Sequence, residues 1–311
     1  MIVLFVDFRG PKAGKGFQLQ SIYHELPNQG VETTLKGPHD VVLENARLRM
    51  KSSKPKVLRV DGCYHDTGMD WKAKNQSLKD SAHQADHVIC QSEYGKFMLQ
   101  KYLGIPDSKC TIVFNGSDPR YKPPTVEQTH RHEFIALSKW RPHKRLKDAL
   151  DAFLLADIPE SCLRVFGQFG KGMDKSMVSD YSDPRILWLG PMYDRPTLMG
   201  YIKQSIAMIH LCQNDCCPNS VVEAICMGTP VICGNTGGTP EIVRPSGGTV
   251  LDLQKPYDGE PIDLYHPVPI DVSMVSEAMK KMVENRPNIV CDHVDIRQTA
   301  YGYKRVFEKV V

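Results

Sequence analysis

The chain has 311 residues, 41% of them hydrophobic and 24% charged, with a formal net charge of +3. That length suggests about two domains, and the balance fills two cores and excludes a disordered chain. The charge is too small to demand a polyanion partner, and no stretch approaches the ~20 apolar residues of a membrane span.

The chain opens on the apolar run 1–6 before Asp7 interrupts it, which is too short for a signal-peptide core. We read 2–6 as a strand, with a glycine-rich stretch from Gly10 to Gly16 (GPKAGKG) behind it. Strand-type runs follow at 31–35, 41–43, 57–60, 87–90 and 111–114. Between the last two, 93–102 reads as a helix closed by Gly104 and Pro106. The stretch 118–131 contains Pro119, Pro123 and Pro124 and little hydrophobic pattern, so it is the predicted linker. It separates a first domain over 1–125 from a second over 126–294. The second repeats the style, with strands at 134–137, 163–166, 186–189, 207–211 and 230–233. Helices fit at 147–155, 197–204 and 220–227, and a helical tail over 295–311 carries Tyr301, Tyr303, Val306 and Phe307. Strands alternating with helices specify parallel sheets covered on both faces, so the fold class is α/β with two Rossmann-like halves. Ligands of such folds bind at the carboxyl ends of the strands, and two halves would set those edges against one interdomain cleft.

Most of the ten cysteines sit inside apolar runs, among them Cys90, Cys162, Cys226 and Cys233. There they read as small buried hydrophobes of a reducing compartment, which predicts a soluble cytoplasmic protein.

The most informative stretch is 215–243, DCCPNSVVEAICMGTPVICGNTGGTPEIV. Pro218 suits a helix start, and Asn219 or Ser220 is placed to cap the helix that follows. The helix end, with Asn219, Ser220 and Val221, offers amides and a positive dipole end to a diphosphate. Glu223 reads as lying on the first turn, and Asp215 on the loop eight residues upstream. Carboxylates flanking an anion-binding helix end are poorly placed to hold phosphate. They are well placed to accept hydrogen bonds from sugar hydroxyls on one side and ribose hydroxyls on the other. Gly237 and Gly238 then let backbone approach a ligand before a second helix near Pro240 and Glu241.

This stretch resembles the donor site of glycosyltransferase family 4, the retaining, glycogen-synthase-like enzymes of group 1 with the GT-B fold. The family pattern is a carboxylate, seven residues and a glutamate, followed by EAM-x-x-G-x-PV and GG-x-PE. The resemblance implies that Asp215, aspartate where the family has glutamate, contacts the donor sugar, and that Glu223 holds the nucleotide ribose. Residues 138–144, SKWRPHK, resemble the family's basic pair, normally arginine and lysine five residues apart. Lys139, with lysine replacing arginine, and Lys144 fill those places, and Arg141 could substitute for one of them. By resemblance they neutralise the diphosphate leaving group. ADHVI from Ala85, Gln91-Ser92, and NGSD from Asn115 resemble further landmarks, so the likeness runs from about 57 to 243. It implies a tail that packs back on the first domain and a UDP- or GDP-sugar donor whose base is read near Met192. It also implies front-face attack with retention and without an enzymic nucleophile, and no required metal or cofactor.

The stretch from Gly10 to Gly16 is one residue short of a Walker A loop, and Gly16 stands where Ser or Thr would hold magnesium. In the resembled family a glycine-rich loop here faces donor and acceptor, which nominates Gly14, Lys15 and Gly16; a plain turn is the other reading. His210, Cys212, Cys216 and Cys217 match no common zinc spacing, and no D-x-D triplet occurs, so no metal is predicted. Residues 59–66, RVDGCYHD, end a strand and point Arg59 and Asp61 to the acceptor side. Some family members use a histidine in this region near the donor sugar, which nominates His65 with Asp61 behind it. A structural strand-end cluster is the alternative. Nine basic residues lie between Arg47 and Lys79 against Asp61, Asp66 and Asp70. A solvated face explains such a run by default, and an anionic acceptor (DNA, an acidic glycan or a phospholipid surface) is the sharper reading.

The resemblance thus points to transfer of a sugar from a nucleotide diphosphate to a hydroxyl of a glycan, a lipid-linked acceptor or a modified nucleic acid. The place would be the cytoplasm or the periphery of a membrane. Two rivals are a nucleotide-sugar 2-epimerase of the same fold and a non-catalytic sugar-nucleotide binding module.

Overall fold

The structure is a computed structural model that describes residues 2–6 and 15–311, with the side chains of 15–17 outside the description. The chain forms two compact units, one of Met1–Asp118, Asp258–Ile262 and Asp292–Val311, the other of Pro119–Tyr257 and Asp263–Cys291.

In the first unit β1 (Ile2–Val6) is followed by α1 (Lys15–Glu25), β2 (Val31–Thr34), β3 (Val41–Asn45) and β4 (Lys56–Val60). Then come α2 (Trp71–Gln84), β5 (His87–Cys90), α3 (Glu93–Leu103) and β6 (Cys110–Ile112). All strands pair parallel in the order β2-β1-β3-β4-β5-β6. Parallel strands covered on both faces need continuous apolar runs, and Val88, Ile89 and Cys90 accordingly show 0% exposure. The Ser92 hydroxyl caps α3 by accepting from the Gly95 amide, and Gly104 closes it in the left-handed region.

The second unit carries β7 (His132–Leu137), α4 (Leu146–Ala156), β8 (Ser161–Phe166), β9 (Ile186–Gly190) and α5 (Arg195–Gln204). β10 (Ala207–His210), α6 (Asn219–Cys226), β11 (Val231–Gly234), α7 (Thr239–Ser246), β12 (Thr249–Leu251) and α8 (Val272–Glu284) follow. Its sheet runs β12-β11-β10-β7-β8-β9. The chain builds outward from β7 to β9 and then returns to lay β10 on the other side of β7. The carboxyl ends of β7 and β10 therefore form the topological switch point, where open α/β sheets bind ligands. Phe134, Phe153, Leu163, Val165 and Met279 fill the core between this sheet and α4 and α8. The last helix, α9 (Ile296–Val310), belongs to the first unit, burying Tyr303, Val306 and Phe307 against Leu4, Ile22 and Leu26.

The strands predicted from sequence agree with these to within one or two residues. Helices α1, α2 and α8 and strand β12 were not predicted. The α1 sequence, KGFQLQSIYHE, has little apolar periodicity, β12 spans three residues, and α8 lies behind a proline-rich stretch. The stretch 118–131 is irregular, as expected of a linker, yet it is packed. Arg164 donates to the Glu127 carbonyl at 3.1 Å, and a Cβ on Gly200 would lie 2.6 Å from the Pro124 oxygen. No helix among the described residues is long and apolar enough to cross a membrane.

Candidate active site

The switch point of the second unit gathers the loops that leave β7, β10 and β11. The Gln213 amide donates to the His143 carbonyl at 2.9 Å, and Lys144 Nζ donates to Asp215 Oδ2 at 2.5 Å. From the third loop, the Gly238 amide donates to the Asp215 carbonyl at 2.7 Å. Gly237 has φ +77°, and a Cβ there would stand 2.6 Å from the Asp215 oxygen and 2.8 Å from its nitrogen. Only glycine lets the third loop lie this close to the Asp215 backbone. Lys139 and Arg141 sit on the exposed side of the first loop, while the Trp140 indole between them is anchored to the Phe166 carbonyl at 2.9 Å.

The electrostatics follow from this stitching. Burial alone would raise the Asp215 carboxyl, but the Lys144 charge and hydrogen bond outweigh it and hold it at about 2. Burial works to lower Lys144, and Asp215 reverses that, so the ammonium stays protonated. His143 and His210 are driven down to about 3 and about 4, first by burial and then by the neighbouring Lys144. Both imidazoles are therefore neutral near pH 7. His210 Nε2, Gln213 Oε1, both amide atoms of Asn214 and Thr239 Oγ1 are buried with no hydrogen-bond partner among the described residues. Unsatisfied buried polar atoms are costly and uncommon. This group, on the loop that carries Asp215 and on the helix that follows Gly237, suits a ligand rich in hydroxyls and phosphate oxygens.

At the start of α6 the residue in the N-cap position is Pro218, with no side-chain cap, so neither Asn219 nor Ser220 caps the helix as predicted. The extended backbone of Pro218 (φ −70°, ψ 123°) ends the loop one residue earlier, and both polar residues fall inside the first turn. Val221 is fully buried and its amide bonds the Pro218 carbonyl at 3.1 Å, so its contribution there is packing. Glu223 is the fifth helical residue and lies on the second turn rather than the first. It is 8% exposed, and its Oε1 meets Arg195 at 2.9 Å, a partner on α5 that sequence reasoning missed. Burial raises the Glu223 carboxyl and Arg195 opposes the rise. Met192, half-buried, lies in the turn between β9 and α5.

In the first unit Arg59, 1% exposed, is sequestered at the strand ends rather than presented to solvent. It pairs with Asp61 and donates to Asn115 Oδ1 at 2.9 Å, and Gln91 also donates to Asp61. His65 Nδ1 lies 3.3 Å from the Cys63 carbonyl, and the Asp66 carboxylate acts on its ring. The His65 carbonyl accepts from Ile262 at 3.0 Å. Gly14 lies outside the described residues, while Lys15 and Gly16 open α1.

Of His210, Cys212, Cys216 and Cys217, the first two come together, with Asp215 as their third neighbour; their ligand atoms lie within 4.8 Å of one another. The ammonium of Lys144 already neutralises this carboxylate. A second such group, His130, Glu133 and Cys162, is tied up by Arg164, which meets Glu133 at 2.6 Å.

Residues 117–256 match the sequence profile of the family Glycosyl transferases group 1. Among curated protein sequences none matches the chain. In three dimensions it is similar to Anabaena HepE solved with UDP-glucose, at 16% identity and a TM-score of 0.62 over 99% of this chain and 94% of that one. It is also similar to sucrose-phosphate synthase from Thermosynechococcus elongatus, at 12% identity and a TM-score of 0.68 over 99% and 94% of the two chains. The lipopolysaccharide outer core galactosyltransferase WaaB gives 13% identity and a TM-score of 0.66 over 99% and 100%. At these identities the likeness is one of fold, and the fold class is GT-B.

Proposed function

We propose that the protein is a retaining glycosyltransferase whose second unit binds a nucleotide diphosphate sugar at the carboxyl ends of β7 and β10. The observation that carries this reading is the Lys144–Asp215 pair, with Glu223 eight residues beyond it on the helix that starts at the same edge. Lys144 and the exposed Lys139 and Arg141 supply positive charge for the departing diphosphate, which is the charge that grows as the glycosidic bond breaks. Asp215, ionised and aimed by Lys144, accepts from hydroxyls of the transferred sugar, and the neutral His210 and the amide of Asn214 offer further hydrogen bonds. Glu223 accepts from the ribose. The departing phosphate oxygen takes the acceptor proton on the face it leaves, so configuration is retained without a covalent enzyme intermediate. Lysine and arginine charge stands in for a metal, and the similarity to a UDP-glucose complex supports a UDP- or GDP-sugar. The basic stretch between Arg47 and Lys79 supports an acceptor hydroxyl on an anionic molecule.

Incubation with a panel of UDP- and GDP-sugars, with and without a chelator, tests the reading. Slow donor hydrolysis or transfer that survives chelation, abolished in Glu223→Ala, is the expected result. Isomerised donor would make the protein an epimerase, and binding without turnover would make it a binding module.

A further inference from the structure

Glu223 is buried, yet its Oε1 faces the guanidinium of Arg195, whose side chain is 39% exposed and opens α5 immediately after the turn that holds Met192. A guanidinium carries five N–H donors in a planar fork, more than a single carboxylate oxygen can accept. A ribose diol presents two neighbouring hydroxyls, each both donor and acceptor.

We propose that Arg195 and Glu223 together read the nucleotide ribose, Glu223 accepting from one hydroxyl and Arg195 donating to the other. Arg195 is thus a specificity-determining residue of the donor site, a role that rests on the functional reading above. Its second effect is on its partner. Burial favours the protonated carboxyl, and Arg195 is the charged group that opposes it. Arg195 therefore favours the ionised, accepting form of Glu223.

The test uses the whole chain and measures calorimetric binding of UDP and GDP together with their 2′-deoxy and 3′-deoxy forms. Wild type is expected to lose roughly 10-fold or more in affinity for whichever deoxy form lacks the hydroxyl facing Arg195, the worth of a charged hydrogen bond. Arg195→Gln is expected to bind the parent nucleotide about 10-fold more weakly and to lose that discrimination, while discrimination at the other hydroxyl persists. Its affinity should also fall more steeply than wild type as pH is lowered, and Arg195→Lys should restore the pH profile but only part of the discrimination. If Arg195→Gln discriminates both deoxy forms as wild type does, Arg195 does not touch the ribose and the proposal fails. If Glu223→Ala binds UDP or GDP normally, or wild type binds neither, it is the site assignment that fails.

Discussion

Lys144 and Asp215 are 71 residues apart in the chain and meet at 2.5 Å, joining the loop that leaves β7 to the loop that leaves β10. Neither group is well solvated, so each depends on the other to stay charged. Removing the cation strands a carboxylate. Lys144→Ala is expected to cost about 2–3 kcal/mol of stability in urea unfolding, toward the low end for breaking a buried pair because both groups retain some exposure. Sugar transfer should fall by at least about 100-fold, as when a donor to developing charge is deleted. Lys144→Arg should keep the stability better than the rate, because its planar fork presents the charge differently.

The same pair and its imidazole neighbours predict an acid-sensitive second unit. His143 and His210 are pulled below their ordinary 6.5, so the unfolded chain takes up protons first as pH falls from about 6.5 toward 4. Stability contributed by the neutral imidazoles is thus present above pH 6.5 and lost as pH falls through that range. Asp215 adds a second loss. Its carboxyl sits at about 2 against an ordinary 3.8, so its contribution, on the order of 2 kcal/mol, is present above pH 3.8 and disappears toward pH 2. Lys144, raised, contributes at all pH values below its ordinary 10.5. Thermal melts should show Tm declining from pH 6.5 to 4, with a visibly smaller slope in His210→Gln. An unchanged slope in that variant would assign the effect elsewhere.

Gly237 is the residue on which the third loop turns. Gly237→Ala places a methyl against the Asp215 backbone at a left-handed φ, so strain and collision add. Donor binding should weaken at least about 10-fold, with more than about 1 kcal/mol lost from stability. Gly228, also left-handed but with open space around its Cβ position, is the control. Gly228→Ala should carry the strain alone and leave donor affinity intact.

Arg59 makes a prediction confined to the first unit. Its guanidinium is buried between Asp61 and Asn115, so Arg59→Leu leaves Asp61 without its countercharge. A loss of about 3–5 kcal/mol is expected in chemical unfolding, and Arg59→Leu combined with Asp61→Leu should recover a substantial part. Equal losses in single and double variants would show that the pair itself is not the source.

What could be read from the sequence was local. Strands such as His87–Cys90 announce themselves because a parallel strand covered on both faces is buried throughout and mostly apolar. The run from Asp215 to Glu223 is contiguous, so its carboxylates and helix start could be named in advance, although the cap fell one residue early on Pro218. What escaped was made by strands meeting. Asn45, Gln91 and Asn115 join Arg59 and Asp61 only because β3, β4, β5 and β6 end side by side. Arg195 escaped because nothing in the pattern of α5 says that its first residue faces α6. The influence of Asp66 on His65 also escaped, because spacing alone does not rank Asp61 against Asp66 when a loop turns between them.

A crystal structure of the protein soaked with UDP-glucose or a GDP-hexose tests most directly where a sugar nucleotide sits. Diphosphate density is expected at the carboxyl ends of β7 and β10 beside Lys144, with the ribose on Glu223 and the sugar within hydrogen-bond reach of Asp215. Density for the same ligand elsewhere, with the Lys144–Asp215 pair closed and Glu223 touching only Arg195, would contradict this placement.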